Sequence, residues 1–241
     1  MKHIHRIFLL SPANLAGVRA GYLLREKATS ELACRLREGG VPLGELFTFL
    51  SSLYFRGKLA YARAFSAAPS GLSGSYVITA TAGLLEPTTI VSHEQVCEMA
   101  AGKIEADDRR YRHSFDLSCQ LLSQKVPDSC AIVLLGSIAT PKYVAPLLEI
   151  FGERLLFPVE FVGRGDMSRG GLMLRAAQAG TELEYAPVLD SRRNGARPPK
   201  LTPLVRTNRS ENSRLTGGLK TRMTQRTHRN AGRPNPNKDD G

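Results

Sequence analysis

The feature that most limits how this chain can fold is a set of apolar runs without polar alternation. The runs are HRIFLLS (5–11), SYVITA (75–80), AIVLLG (131–136) and RLLFPVEF (154–161). Each is rich in branched or aromatic residues and bounded by turn formers, which predicts buried strands. Strands that are apolar on both faces are typical of a parallel sheet covered by helices on each side. A weaker fifth strand is predicted at 182–188.

Helical patterns separate the predicted strands. One helix is predicted at 28–38, and one or two helices are predicted at 43–65. A short helix should follow the capping box of Ser92 and Gln95. Two further helices should run from Asp107 or Asp108 to about Lys125 and from Thr140–Pro141 onward. Alternation of this kind predicts a three-layer α/β/α sandwich of the Rossmann-like type. Its central sheet should be mainly parallel, with four to five strands.

The charge of the chain is concentrated at one end. The 241 residues carry a net charge of +11, and the segment 191–241 holds 13 of the 33 Lys and Arg residues but only three Asp or Glu. That segment has almost no apolar pattern, so we predict an α/β domain at 1–190 and a disordered basic tail at 191–241. The tail can attract nucleic acid through its charge, or it can be a solvated extension without a specific partner.

Other sequence features narrow the class of protein. The four cysteines form no C-x-x-C pair and have no histidines at zinc spacing, so we predict reduced thiols, no metal site and a cytoplasmic location. The apolar run near the start is too short for a signal peptide, and no window is long enough to span a membrane. No cofactor is predicted, and the oligomeric state is left open.

Small, polar or glycine-rich residues follow each predicted strand. They are Ser11–Asn14 after the first, Thr79–Gly83 after the second, Gly136–Ser137 with Lys142 and Tyr143 after the third, and Gly163–Gly171 after the fourth. Ligands of open α/β sheets bind outside the carboxyl ends of the strands. We therefore expect these loops to meet at one rim and to form one pocket that suits an anion.

The loop FVGRGDMSRGG (161–171) concentrates glycine and charge before a helix. Arg164 and Arg169 are fork-shaped donors suited to phosphate or carboxylate. Asp166 could hold an arginine, cap the helix, or act as a base or water-orienting carboxylate. The alternative is a tight turn with a local Asp–Arg ion pair.

The remaining candidates each have a structural alternative. Asn14 could bond a base edge or form a plain turn, and Lys142 and Tyr143 could face the crevice or the solvent. Ser137 is predicted as an orienting group, since no nucleophile-elbow motif surrounds it. Gly83 and Gly136 are predicted to let backbone approach the ligand.

Three stretches resemble an uncharacterised group of bacterial and phage domains. They are LYFRGKLAYARAF (53–65), YVITATAGLLEPTTIV (76–91) and IVLLGSIATPKYVAPL (132–147). The clearest elements are Gly83-Leu84-Leu85 with Pro87, and Ala60-Tyr61-Ala62 in the preceding helix. The resemblance implies a core similar to that of uracil-DNA glycosylase, and it implies no established activity. This chain departs from the group's pattern at Ser11-Pro12-Ala13-Asn14 and at Thr79-Ala80.

Two functions follow as hypotheses. The first is an enzyme that acts on a nucleotide or nucleic-acid base, and hydrolysis of a glycosidic bond is a reaction that fits the resemblance. In this enzyme Asp166 would be the catalytic carboxylate, and Asn14 and Ser137 would be orienting groups. The ligand-binding residues would be Arg164, Arg169, Gly83, Gly136, Lys142 and Tyr143. The second is a non-catalytic module that senses a nucleotide or binds nucleic acid.

Overall fold

The computed structural model describes residues 5–191 and 194–202. The strands are β1 (Arg6–Leu10), β2 (Val41–Pro42), β3 (Ser75–Ile78), β4 (Leu84–Leu85), β5 (Ile90–Val91), β6 (Ala131–Leu135), β7 (Leu155–Pro158) and β8 (Tyr185–Pro187). The α-helices are α1 (Val18–Leu24), α2 (Glu31–Glu38), α3 (Leu43–Ser51), α4 (Leu53–Phe65), α5 (His93–Ala101), α6 (Arg109–Lys125), α7 (Pro141–Phe151) and α8 (Asp166–Ala179). Short 3-10 turns at Gly152–Arg154 and Val159–Phe161 flank β7.

Six strands form one mixed sheet in the order β4-β3-β1-β6-β7-β8. The four inner strands are parallel, whereas β4 and β8 are antiparallel to their neighbours. Strands β2 and β5 pair separately. The predicted α/β fold with a mainly parallel central sheet is therefore confirmed. The sheet has six strands rather than the four to five predicted, because the two-residue strand β4 extends one edge.

Side chains on both faces of the central strands are buried. Phe8 and Leu10 of β1 belong to a core that includes Phe55 of α4 and Met173 of α8. Ile7 and Leu9 belong to a second core, which contains residues of α6 and α7. Because helices cover both faces, no position of these strands favours a polar side chain, which explains the missing alternation.

Helices α4 and α8 approach each other closely because two glycines meet between them. A β-carbon on Gly57 would lie 2.6 Å from the carbonyl oxygen of Gly170, and one on Gly170 would lie 2.7 Å from the Cα atom of Tyr54. Neither distance is compatible with a side chain at these positions. The pair therefore brings the middle of α4 directly under the first turns of α8.

Several predicted boundaries differ from the structure. The segment 43–65 forms two helices that are separated at Ser52, whose φ of 44° breaks the helical path. Predicted strand 154–161 ends at Pro158 and continues as a 3-10 turn. The predicted strand at 182–188 is the short edge strand β8, and α1 and the two-residue strands were not predicted.

The contacts of the folded part continue past residue 190. The guanidinium of Arg164 donates to the carbonyl oxygen of Pro199 at 3.3 Å, and the compact unit ends at Leu201. The prediction of disorder covered 191–241, and its parts at 192–193 and 203–241 lie outside the described residues.

Candidate functional site

The order of the parallel strands creates a crevice between β1 and β6. From β1 the chain proceeds to β3 on one side, and it later returns to β6 on the other side. The connections after β1 and β6 run in opposite directions, so a gap remains between the loops at the carboxyl ends of these two strands. This topological switch point is the usual binding position in open α/β sheets.

A cavity of about 440 Å³ lies at this position. Residues that follow three strands form part of its wall: Ser11–Ala16 after β1, Thr79 and Ala80 after β3, and Ser137 after β6. Helices provide the rest: Phe47 and Ser51 of α3, Tyr54 of α4, Lys142 and Tyr143 of α7, Asp166 of α8, and the segment 99–105 without Ala101 at the end of α5. The volume is within the range of small-molecule sites, which is about 300–1,000 Å³. Loops that are distant in sequence thus converge here, as the strand-end pattern predicts.

Five of the predicted site residues line this cavity: Asn14, Ser137, Lys142, Tyr143 and Asp166. The first two also stabilise local turns, because Asn14 Oδ1 accepts from the Ala16 amide at 2.9 Å and Ser137 Oγ accepts from the Ala139 amide at 3.3 Å. Burial raises the pKa of Tyr143 well above its usual value, so its hydroxyl stays protonated and remains a donor.

Asp166 begins helix α8 and presents its carboxylate at the cavity. Its side chain is 67% exposed, and its Oδ1 atom lies 3.6 Å from Arg169 Nη1. A carboxylate in the first turn interacts favourably with the positive end of the helix. The Asp–Arg pair therefore exists, and it leaves the carboxylate free to meet a ligand.

The other predicted residues do not line this cavity. Arg169 is buried, and its Nε and Nη2 atoms both donate to the carbonyl oxygen of Phe161, so it fixes the turn that follows β7. Arg164 lies along a different groove, which is formed with residues 197–201. A ligand role for these arginines stays a prediction, since the buried Nε atom of Arg164 has no hydrogen-bond partner among the described residues.

The two predicted glycines have packing roles. Gly83 adopts a φ of 66° and approaches the carbonyl oxygen of Ser114, where a β-carbon would clash. A β-carbon on Gly136 would lie 3.1 Å from Ser11 Oγ. Gly136 thus packs closely against Ser11, and it is not part of the cavity wall.

The structure reveals one ionisable residue that the sequence interpretation missed. Lys58, in the middle of α4, has no exposed surface. Its Nζ atom donates to the carbonyl oxygen of Ser11 at 2.7 Å and lies 2.7 Å from Ser11 Oγ. It also lies 3.8 Å from the centre of the Tyr54 ring. Among the described residues Lys58 forms no ion pair within 4 Å.

Burial changes the protonation of Lys58. Removal from solvent lowers the pKa of the amine to about 7, while the charge of Asp166 raises it and that of Arg169 lowers it. The uncharged amine is thus well populated near neutral pH, which is unusual for lysine. A signal was present in the sequence: Lys58 lies four residues from Tyr54 and from Ala62, on the apolar face of a helix.

Tyr54 forms part of the cavity wall above Lys58. Its side chain is buried, and its hydroxyl has no hydrogen-bond partner among the described residues. Burial, together with the charge of Asp166, raises the pKa of Tyr54 to about 12, against the opposing effects of Arg169 and Ser11. An unsatisfied buried donor at a cavity wall is a position where a ligand acceptor would gain a hydrogen bond.

The cavity has a balanced charge. Its wall contains two cationic side chains, Lys103 and Lys142, and two carboxylates, Glu105 and Asp166. Within the described ranges, no group of three or more His, Cys, Asp or Glu side chains could hold a metal ion. None of the helices described is both long and apolar enough to cross a bilayer.

Fold and site together define an open, doubly wound α/β protein with a cavity at its topological switch point. No protein-family model matches the chain, and no curated protein or solved structure is significantly similar to it. The resemblance to the uracil-DNA-glycosylase type of core therefore stays a prediction.

Proposed function

We propose that the protein is an enzyme that binds a nucleoside, nucleotide or nucleic-acid base in the switch-point cavity and hydrolyses its glycosidic bond. The observation that supports this most directly is the convergence of Asp166, Asn14 and Ser137 on one cavity. A carboxylate beside two neutral polar groups suits a reaction in which positive charge develops on a sugar ring while a water molecule attacks.

Each polar group has a task in this reaction. Asp166 orients the attacking water and stabilises the developing oxocarbenium charge. Asn14 and Ser137 bond the edge of the base or the sugar hydroxyls. Lys142, in the first turn of α7, provides a cation for a single phosphate group.

The balanced charge limits the substrate. Two cations and two carboxylates at the wall suit a neutral or singly charged ligand better than a polyphosphate. We therefore expect nucleosides, monophosphates and single bases that are turned out of a strand to bind better than triphosphates.

The test is release of free base by the full-length chain. Ribonucleosides, deoxyribonucleosides, their monophosphates and a uracil-containing oligonucleotide are incubated with the protein, and free base is measured by chromatography. Asp166→Asn should lower the rate by at least about 100-fold, as expected for loss of a catalytic carboxylate. The control is Asp128→Asn, because Asp128 precedes β6 at the opposite end of the sheet and is fully exposed.

The alternative is a non-catalytic nucleotide-binding module, and the same samples distinguish it. A ligand that raises the melting temperature of wild type and Asp166→Asn alike, with no base released from any substrate, would support binding alone. If no compound is cleaved and none raises the melting temperature, the proposal is wrong in both forms.

Nucleic-acid affinity of the basic segment needs its own control. A chain that ends at Thr202 keeps the contacts of residues 194–201 with the folded part and removes most of the basic segment. If oligonucleotide binding and its salt dependence disappear with this truncation, the basic segment rather than the cavity provides the affinity.

A further inference from the structure

Lys58 has few polar partners for a buried amine. Its only hydrogen bonds among the described residues go to Ser11, and aromatic rings of Tyr54 and Phe55 occupy the space around it. Burial without a carboxylate partner disfavours the ammonium form, although the face of the Tyr54 ring offsets part of that cost. In the structure Nζ donates to both oxygens of Ser11, and the Ser11 hydroxyl donates to the carbonyl oxygen of Leu135 at 3.4 Å. That last contact is long, so rotation of the hydroxyl hydrogen away from Leu135 lets Oγ donate to the lone pair of the neutral amine.

Ser11 forms part of the cavity wall, and Lys58 does not. Ser11 is 6% exposed at this wall and Lys58 has no exposed surface, so a ligand would meet the serine, with the amine behind it. The distance of 2.7 Å between Nζ and Oγ is within the range required for direct proton transfer.

We propose that Ser11 and Lys58 form a nucleophile–base pair that hydrolyses a carboxylic ester bound in the switch-point cavity. Pairs of serine and lysine are a known solution to activating a hydroxyl without histidine. This activity is separate from the glycosidic reaction, because the covalent step uses Ser11 and Lys58 and does not need the carboxylate of Asp166.

In the first half of the reaction, the neutral Nζ atom of Lys58 accepts the proton of Ser11 Oγ while Oγ attacks the carbonyl carbon of the ester. Collapse of the tetrahedral intermediate breaks the bond between that carbon and the alcohol oxygen, and the departing alcohol takes the proton from Nζ. In the second half, Nζ accepts a proton from water, hydroxide attacks the acyl carbon, and Oγ leaves and recovers the proton. Water is the only co-reactant.

The Tyr54 hydroxyl is placed to assist the same reaction. It is a buried donor without a partner in the described structure, and its ring covers Lys58. Ser11 and Arg169 both affect the pKa of this hydroxyl, so it is close enough to Ser11 to donate to the oxyanion of the tetrahedral intermediate.

Two charged groups of α8 and one titratable group of α4 surround Lys58 and affect its pH dependence. Asp166 of α8 raises the pKa of the amine, Arg169 of α8 lowers it, and Tyr54 of α4 remains uncharged because its own pKa is about 12. Only the neutral amine can accept the proton from Ser11. The rate of the covalent step should therefore rise with pH and level off above about 7.

The test uses a fluorophosphonate, which reacts with activated serine hydroxyls regardless of the natural substrate. Ser11 Oγ forms a bond to phosphorus, fluoride leaves, and Lys58 takes the proton. We expect one adduct per full-length chain by intact mass, located on Ser11 by peptide mapping. The labelling rate should increase about tenfold for each pH unit below 7 and reach a plateau above it.

Two variants and their matched controls isolate the pair. Ser11→Ala should abolish the adduct, while Ser123→Ala, on α6, should leave it unchanged. Lys58→Met retains the length and apolar stem of the side chain, and it should slow labelling at pH 7.5 at least about 100-fold. Lys125→Met, which removes an exposed lysine of α6, should label like wild type.

The ester assignment has its own readout. Wild type should hydrolyse a 4-nitrophenyl ester with an initial burst that corresponds to acylation, and Ser11→Ala should lose the burst. Labelling of Ser11 without ester hydrolysis would overturn the ester as substrate.

Two results would overturn the pair itself. One is the absence of an adduct on Ser11 in folded wild type. The other is a labelling rate that does not change with pH between 5.5 and 8, which decides the question even if Lys58→Met does not fold. Loss of base release in Asp166→Asn, with Ser11 still labelled at the wild-type plateau rate at pH 8, would support the pair as an activity independent of the glycosidic reaction.

Discussion

The Nζ atom of Lys58 lies 2.7 Å from both the carbonyl oxygen and the Oγ atom of Ser11. A buried amine thus joins the end of the central strand β1 to the middle of helix α4, directly behind the cavity. The backbone contact alone would be a structural use of lysine. The additional contact with the hydroxyl, at a cavity wall, is what makes the arrangement chemically informative.

The first prediction concerns pH and stability. The pKa of Lys58 is about 7 in the folded protein and about 10.4 in an unfolded chain. Between these values the unfolded state binds more protons, so this group makes unfolding less favourable as pH rises. Relative to Lys58→Met, the unfolding free energy of wild type should rise by up to about 1.4 kcal/mol per pH unit between pH 7 and 9.

Urea unfolding of wild type and Lys58→Met at several pH values measures this difference. Lys125→Met should follow the wild-type pH dependence, because that lysine is exposed. Parallel curves for wild type and Lys58→Met would contradict the assignment of a lowered pKa to Lys58.

The second prediction concerns the close contact of α4 with α8. Gly57→Ala places a β-carbon 2.6 Å from the Gly170 carbonyl oxygen, so the helices must separate. We expect a loss of about 1–3 kcal/mol in unfolding free energy. Gly21→Ala is the matched control, since a β-carbon there meets nothing within 4 Å in α1, and it should be neutral or stabilising by about 0.5–1 kcal/mol. Equal effects of the two substitutions would contradict the prediction.

The third prediction links Asp166 to Lys58. The carboxylate of Asp166 raises the pKa of the amine, so Asp166→Asn should lower that pKa further. In the fluorophosphonate assay the midpoint of the pH profile should move to lower pH, with an unchanged plateau. Asp128→Asn should leave the midpoint in place, and an upward shift in Asp166→Asn would refute the link.

The fourth prediction separates a structural role of Arg169 from a role in binding. Its guanidinium makes two hydrogen bonds to the Phe161 carbonyl oxygen and is only 10% exposed. Arg169→Ala should therefore lower the unfolding free energy by about 1–3 kcal/mol, whereas Arg63→Ala, on the exposed face of α4, should have little effect. An Arg169→Ala variant that keeps wild-type stability but loses ligand binding would favour the ligand role that the sequence predicted.

Much of the fold followed from local patterns because those patterns reflect burial. Four continuous apolar runs indicated strands covered on both faces, and β1, β3, β6 and β7 form the parallel centre of the sheet. The capping box at Ser92 and the helix start at Asp108 are present as predicted. The short strands β2, β4 and β5 escaped prediction, since two residues carry no detectable period.

The sequence by itself determined that polar and glycine-rich loops follow the strands. Because the strands are parallel, their carboxyl ends lie at the same edge of the sheet, which brings these loops together. It did not determine which side chains at that edge remain available. Arg164 and Arg169 look like ligand donors in sequence, and only packing shows that Phe161, Ser168 and Pro199 already accept their hydrogen bonds. Lys58 looks like an ordinary helical lysine, and only the tertiary structure shows that it is fully buried behind Ser11. The physical reason is that strand and helix formation depend on neighbours in the chain, whereas the protonation and reactivity of a side chain depend on desolvation by residues that are distant in sequence.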